Sequence, residues 1–137
     1  MGFLLDTNVL SELRKPRSDP GVRSWFEAVS EDELFLSVLT VGEIRQGVER
    51  LRGKDLSRAA EYDRWLERLR RDFADRILPV TAEVAEEWGR MNARRVFPVV
   101  DGLLAATARV HRLTLVTRNV NDVVDAGVDL LNPFSRS

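Results

Sequence analysis

Five short apolar segments, separated by longer stretches of helical periodicity, are the feature that most limits how this chain can fold. The apolar segments span residues 3–5, 34–38, 77–80, 113–117 and 128–131. In the stretches between them, apolar residues recur at the spacing of an amphipathic helix. Strands that alternate with helices are joined by crossovers, which leave the strands parallel and the helices on both faces of the sheet. The sequence therefore predicts an α/β fold with a short, mostly parallel central sheet.

Helix-start signals divide the stretches between the strands. The pair Asp19-Pro20 combines a capping residue with proline at the first helical position, which predicts a helix beginning there. Thr40 and Glu43 have the spacing of a capping box, which predicts a helix that opens at Thr40 and runs to about Arg52. Further helices are predicted over 56–75, after Thr81, and over 101–112.

The composition is that of one ordinary globular domain spanning residues 1–137. Apolar residues make up 44% and charged residues 31%, with a net charge of −1, so neither disorder nor a uniformly basic surface is expected. No apolar run approaches the roughly 18 residues that span a membrane, and Asp6 interrupts the first apolar run too early for a signal peptide. We therefore expect a cytoplasmic protein with no membrane association.

Four acidic residues far apart in the chain each follow an apolar segment or fall in the first turn of a predicted helix. They are Asp6, Glu43, Asp101 and Asp122. In an open parallel sheet, ligands bind outside the carboxyl ends of the strands, where residues distant in sequence meet. This placement predicts one metal-binding pocket.

Each acid also has a purely local interpretation. Glu43 would close its capping box, and Asp101 would interact with the helix dipole. Asp6 would end a strand, and Asp122 would cap the turn after Asn119. These local roles give no reason for all four acids to fall at the same edge of the fold, so the coincidence favours the metal site.

The donor chemistry selects the class of metal. The chain has no cysteine and a single histidine, His111, so a carboxylate cluster would offer hard oxygen ligands. Such a site suits Mg²⁺ or Mn²⁺ rather than zinc, and these ions activate water for attack on a phosphate. One histidine also makes a metal-free ribonuclease with paired imidazoles a poor fit.

Two other acid-rich α/β classes fit the sequence less well. A phosphorelay receiver uses a lysine late in the chain, whereas the only lysines here are Lys15 and Lys54. A haloacid-dehalogenase-like phosphatase needs a second aspartate two residues after the first, where Asn8 stands. Both classes are therefore disfavoured.

Four sequence blocks resemble those of the PIN-domain ribonucleases, in the order and spacing of that family and most closely as in its VapC-type toxins. The blocks begin at Leu4-Leu5-Asp6-Thr7-Asn8, Thr40-Val41-Gly42-Glu43, Asp101-Gly102-Leu103-Leu104 and Leu115-Val116-Thr117-Arg118-Asn119. The resemblance implies a PIN-like three-layer α/β/α fold. It also implies an endoribonuclease that depends on Mg²⁺ or Mn²⁺, forms a homodimer and is inhibited by a cognate VapB-type antitoxin. A heterotetramer or larger assembly with the antitoxin, and contact with DNA only through it, are further implications.

The same resemblance assigns site residues. Asp6, Glu43, Asp101 and Asp122 fall on the acidic positions of the family and are the predicted metal and catalytic residues. Thr7, Thr117 and Asn119 are the predicted polar support around them, and Thr117 and Asn119 are counted among the predicted catalytic residues because they could position a carboxylate or the scissile phosphate. The family often has an aromatic residue after the last acid, whereas this chain has Val123, so Asp125 is the alternative to Asp122.

The outer helices offer a predicted partner surface. Residues 40–73 are expected to form two successive helices whose groove would accept an amphipathic segment of the antitoxin. Two other functions stay open at this point. They are a PIN nuclease for RNA processing without toxin behaviour, and a catalytically weak PIN-like module that binds a partner or nucleic acid.

Overall fold

A five-stranded sheet lies at the centre of the computed structural model, which describes residues 2–135. The strands are β1 (Phe3–Leu5), β2 (Leu34–Ser37), β3 (Ile77–Leu78), β4 (Thr114–Val116) and β5 (Leu130–Leu131). The helices are α1 (Thr7–Arg14), α2 (Pro20–Ala28), α3 (Val38–Arg52), α4 (Leu56–Asp72), α5 (Ala82–Arg94), α6 (Val99–His111) and α7 (Val120–Val123). A short 3-10 helix, Glu31–Glu33, precedes β2. Within the described residues, no helix is both long and apolar enough to cross a bilayer.

The strand order is β3-β2-β1-β4-β5, and every pairing is parallel. The chain builds outward from β1 to β3 on one side, then returns to place β4 against the other side of β1. The crevice between β1 and β4 is therefore the point where the direction of winding reverses, and ligands of open α/β sheets bind at such a point.

Alternating side chains of each strand face two separate hydrophobic cores. Leu4 and Leu115 pack in the core formed with α5 and α6, whereas Leu5 and Val116 pack in the core formed with α1 and α2. The four side chains are at most 2% exposed. Helices thus cover both faces of the sheet, which confirms the predicted three-layer α/β/α fold.

The start of α3 differs from the predicted capping box. Ser37, the last residue of β2, caps the helix by accepting a hydrogen bond from the Leu39 amide at 3.0 Å. The helix therefore begins at Val38, and Thr40 is already inside its first turn, with a buried hydroxyl that has no hydrogen-bond partner among the described residues. The predicted capping box from Thr40 to Glu43 was wrong because the strand passes into the helix without a loop. The Glu43 side chain is therefore not used to cap the helix.

Several other elements differ from their predicted bounds by a few residues, and one helix was missed. Helix α1 was not predicted, although Asp6 caps it and Val9 and Leu10 bury its inner face. Helix α4 ends at Asp72 rather than near residue 75, and α6 begins at Val99, two residues before Asp101. Strand β3 keeps only two residues of the predicted four.

The three tryptophans are half-buried and pack against the two hydrophobic cores. Trp25 meets Phe3 edge to face with ring centroids 5.3 Å apart, and Trp65 stacks on Tyr62 at 5.4 Å. Trp88 of α5 packs against α6 at Gly102, where a Cβ atom would lie 3.2 Å from Trp88 Cδ1 and from Phe97 Cβ. Gly102 therefore sets how closely α5 approaches the helix that carries Asp101.

We expect Gly102→Ala and Gly89→Ala to change the free energy of unfolding in opposite directions. Alanine is the better helix former by about 1 kcal/mol, and a Cβ atom at Gly89 would have nothing within 4 Å, so Gly89→Ala should stabilise the protein. At Gly102 the neighbours are held by the core, and overpacking of about 1–3 kcal/mol should exceed that gain. Urea unfolding of both variants measures the difference. Equal stabilisation by the two substitutions would show that the helices separate at little cost.

Candidate metal centre

The carboxylate of Asp6 lies at the switch point between β1 and β4. Asp6 directly follows β1, and its amide donates to the Val116 carbonyl of β4 at 2.9 Å. Its side chain is 7% exposed and accepts three hydrogen bonds. Oδ1 accepts from the Thr7 amide at 2.6 Å, and Oδ2 accepts from the Thr117 hydroxyl at 2.7 Å and the Asn8 amide group at 3.2 Å. Oδ1 therefore keeps more free acceptor capacity than Oδ2.

Burial and hydrogen bonding act in opposite directions on Asp6. Desolvation raises the pKa of Asp6 above 3.8, while hydrogen bonds from Thr117, Thr7 and Asn8 lower it without cancelling the effect of burial. A buried carboxylate that is held at fixed orientation but disfavoured as an anion gains from a nearby cation. Asp6 has these properties.

Thr117 has no free hydrogen-bonding capacity. Its hydroxyl donates to Asp6 Oδ2 and accepts from the Asn119 amide at 3.0 Å and the Asn8 side chain at 3.4 Å. One donor and two acceptor sites are all that a hydroxyl offers. Thr117 is 1% exposed, so it positions Asp6 and does not face a substrate. Asn119 contributes its backbone amide to this network, and its side chain makes no capping bond.

Thr7 and Asn8, which follow Asp6 after the first strand, connect Asp6 to Glu43 and to the end of β4. The Thr7 hydroxyl donates to Glu43 Oε1 at 2.6 Å, which is the polar support expected of Thr7. Asn8 had no predicted role in the site, yet it also accepts from the Arg118 amide at 3.2 Å and so joins the ends of β1 and β4. The one signal for Asn8 was its position two residues after Asp6, on the first turn of a helix.

Asp101 has the most perturbed titration in the site. Its carboxyl lies half-buried in the first turn of α6, and its pKa rises from 3.8 to about 6. Desolvation is the largest cause, followed by the negative charges of Asp6, Asp122 and Glu43. The fold therefore brings the four predicted acids into one electrostatic cluster.

The last acid of the cluster is Asp122 rather than Asp125. Asp122 lies in α7, with its amide bonded to the Asn119 carbonyl at 3.1 Å, and its charge acts on Asp101. Asp125 is 71% exposed at its side chain and pairs with Arg95 at 3.3 Å. The charges that act on Asp101 do not include that of Asp125.

The donor set fits a hard divalent cation, although its side chains are not drawn together into a coordination shell. Within residues 2–135, no three acidic or histidine side chains converge closely enough to hold an ion. In that same part of the chain, the ion pairs of arginine and lysine involve none of Asp6, Glu43, Asp101 and Asp122. An acidic cluster without a compensating cation, built from carboxylates alone, matches the chemistry of Mg²⁺ or Mn²⁺.

We expect Asp101→Asn to raise the melting temperature of the protein in EDTA at pH 7.5. The pKa of Asp101 is higher in the folded state than in the unfolded state, so the folded protein binds this proton more tightly. The stabilisation from the bound proton is fully present below about pH 4 and is lost as the pH rises through about 6. Because Asp101 is partly exposed, solvent screening reduces the gain at neutral pH to about 1 kcal/mol. Thermal melts at pH 4 and 7.5 test this, with Asp125→Asn as the control that changes neither. A loss of stability at pH 7.5 would instead assign Asp101 to a capping role.

Comparison with known proteins identifies one family. The PIN domain family model matches residues 3–122. Toxin FitB of Neisseria gonorrhoeae is 34% identical over 138 residues, covering 96% of this chain and 98% of FitB. VapC ribonuclease Y4jK of Sinorhizobium fredii is 33% identical over 138 residues, covering 96% of this chain and 97% of that protein.

Solved structures agree with these relatives. The crystal structure of FitAcB from Neisseria gonorrhoeae superposes with a TM-score of 0.87 at 33% identity, covering 96% of this chain and 97% of that chain. The structure of FitAB bound to a DNA fragment gives a TM-score of 0.88 at 30% identity, covering 98% and 97%. The chain therefore belongs to the PIN-domain family, alongside the VapC ribonucleases and toxin FitB.

Proposed function

We propose that this protein is an endoribonuclease of the VapC type that depends on Mg²⁺ or Mn²⁺. The observation that carries the proposal is the cluster of four carboxylates at the switch point of the sheet, which no ion pair among residues 2–135 neutralises. A relative that is 33% identical over nearly the whole chain is named a VapC ribonuclease, which supports RNA as the substrate. Residues 1–137 would form one PIN domain.

The acids divide into two roles in this proposal. Asp6, Asp101 and Asp122 would hold the divalent cation, with Asp6 offering Oδ1 because Oδ2 already accepts two hydrogen bonds. The bound ion would supply charge neutralisation at the scissile phosphate and lower the pKa of a water molecule. Glu43 would ligate or orient the attacking water through Oε2, since Oε1 accepts the Thr7 hydroxyl.

The remaining polar residues would position these groups. Thr117 and Asn8 fix the orientation of Asp6, and Asn119 orders the turn after β4 through its backbone. Asp101 would give up its proton when a cation enters, because a positive charge favours the carboxylate against the burial and the neighbouring negative charges that raise its pKa to about 6. Metal affinity should therefore increase as the pH rises through that range.

We expect Asp101→Asn to reduce RNA cleavage at least 100-fold, since the amide keeps the shape of the side chain but cannot neutralise a cation. Asp125→Asn is the matched control, because Asp125 pairs with Arg95 and should leave cleavage near the wild-type rate. Cleavage of a labelled single-stranded RNA in Mg²⁺ and in Mn²⁺ measures both. Near-normal activity of Asp101→Asn, with the fold intact by circular dichroism, would remove Asp101 from the site.

The chemistry of the product ends provides a second test. If metal-activated water is the nucleophile, the products carry 5′-phosphate and 3′-hydroxyl groups, because the ribose 2′-hydroxyl takes no part. Mass spectrometry of the fragments identifies the ends. Recovery of 2′,3′-cyclic phosphates would contradict the proposed role of the acids.

An apolar pocket supports a VapB-type antitoxin as the partner. The solved relatives include FitAcB and FitAB, the latter bound to DNA, so DNA contact through the antitoxin is part of the proposal. Helices α3 and α4, which were predicted to form the groove, pack against each other. A cavity of about 130 Å³ lies among α1, α2 and α4, lined by Arg14 and by the apolar residues Leu10, Leu13, Phe26, Trp65, Leu69 and Phe73. An apolar side chain of a docked helix fits such a cavity.

We expect the product of a small reading frame immediately upstream to bind this protein and inhibit it. Leu69→Gln should weaken the complex about tenfold because it places an amide in the cavity, whereas Leu56→Gln, on the same helix at a residue 73% exposed, should not. Calorimetry with the purified partner measures the affinities, and light scattering measures whether the toxin is a homodimer and the complex a heterotetramer. Equal effects of the two substitutions would place the partner elsewhere. RNA cleavage that no upstream product inhibits would favour an RNA-processing nuclease.

A further inference from the structure

A basic groove runs between the end of α1 and the outer face of α4, away from the acidic cluster. Its volume is about 820 Å³. The charged residues that line it are Arg14, Lys15, Arg58, Arg64, Arg68 and Glu61. Five cations thus face one acid in a concave surface on a protein whose net charge is −1.

Most of these cations lack an acidic partner. Lys15 pairs with Glu12 at 3.1 Å, but within residues 2–135 no ion pair engages the other four. The neighbouring α3 is different, because Arg45 and Arg52 both bind Asp63 at 3.0 Å. The groove therefore concentrates positive charge in one concave surface, which is the electrostatic footprint of an anion site.

The cations are spaced along one helix face. From the helical rise, Arg58 and Arg64 are about 9 Å apart along the axis of α4, and Arg64 and Arg68 about 6 Å. Arg14, at the edge of the groove, ends α1 and lies about 12 Å along the helix axis from Asp6 of the acidic cluster. One extended polyanion can reach both.

The aromatic residues beside the groove do not offer free faces for bases. Tyr62 and Trp65 stack on each other at 5.4 Å, and the Arg14 guanidinium covers both rings, 4.4 Å from the Tyr62 centroid and 5.6 Å from that of Trp65. Glu61 is the one acidic group among the lining residues. The groove can therefore bind a charged backbone but has little with which to read base sequence.

We propose that this groove binds the phosphodiester backbone of the RNA strand whose cleavage site lies at the acids, a few nucleotides away; this inference rests on the proposed function. A cluster of four carboxylates repels RNA until a cation is bound, so the protein needs a positive surface nearby to hold its substrate. The contacts are to phosphates, so binding is independent of sequence and sensitive to salt.

The groove and the apolar cavity are adjacent. They share Leu13, Arg14 and Trp65. A partner helix seated in the cavity therefore covers one wall of the groove and excludes RNA from it. Inhibition by such a partner then includes loss of RNA binding, in addition to any contact with the acids.

The test compares two double variants that remove the same charge. Arg64→Gln/Arg68→Gln changes the groove, and Arg70→Gln/Arg112→Gln changes arginines that do not line it. Fluorescence anisotropy with a single-stranded 20-nucleotide RNA, in EDTA to prevent cleavage, gives Kd over a range of salt concentrations. We expect the groove variant to bind about tenfold more weakly. Its slope of log affinity against log salt should fall by about 1.4, the value for two lost phosphate contacts on a single strand.

Cleavage kinetics and a partner-binding measurement complete the experiment. In Mn²⁺ the groove variant should raise KM about tenfold with most of kcat retained, and the control variant should change neither value. If the two variants bind RNA equally, the groove is not the RNA-binding surface, whether or not the protein cleaves RNA. Weaker binding of the upstream protein with unchanged RNA binding assigns the groove to an acidic protein segment and also overturns it. If RNA binding depends on the groove but no metal-dependent cleavage is found, the groove is the RNA-binding surface and the proposed nuclease function is wrong.

Discussion

The hydrogen bond from the Thr117 hydroxyl to Asp6, 2.7 Å long and buried, is the interaction on which the site depends. It joins the ends of β1 and β4, two strands that are 111 residues apart in sequence and meet only because the winding of the sheet reverses there. Asp6 also caps α1 and orders Thr7 and Asn8, so a single carboxylate connects strand pairing, a helix start and the position of Glu43. Loss of this bond would disturb all three.

The electrostatic cost of the acids explains how the rest of the molecule is arranged. Burial is the largest cause that raises the pKa of Asp101 to about 6, and the negative charges of the other three acids add to it, so the ionised, metal-free site carries an electrostatic cost. Within residues 2–135 no ion pair engages the four acids, whereas five cations line the groove between α1 and α4. This separation leaves the acids available for a cation while providing a surface that attracts a polyanion. A site with internal arginine partners would be more stable but unable to recruit metal.

The clustering of the acids could be predicted because strand ends and helix starts are encoded locally, whereas their role as metal ligands stays a prediction. Asp6, Asp101 and Asp122 were found from apolar runs and punctuation, and the alternation of elements predicted the parallel sheet. Local pattern misled at Thr40, because β2 passes into α3 without a loop and Ser37 caps the helix instead. Asn8 and the pairing of Asp125 with Arg95 depend on contacts across 110 and 30 residues, which no local pattern reveals.

Anomalous diffraction from crystals grown with Mn²⁺ tests the central claim most directly, because it locates the cation without reference to activity. The account predicts one or more peaks within about 2–2.5 Å of Asp6 Oδ1 and of carboxylate oxygens of Asp101 and Asp122, with the Thr117 hydroxyl still bonded to Oδ2. Side chains that do not yet converge would then close around the ion. The absence of a peak at millimolar Mn²⁺, or a peak at Asp125 or another surface carboxylate alone, would contradict it.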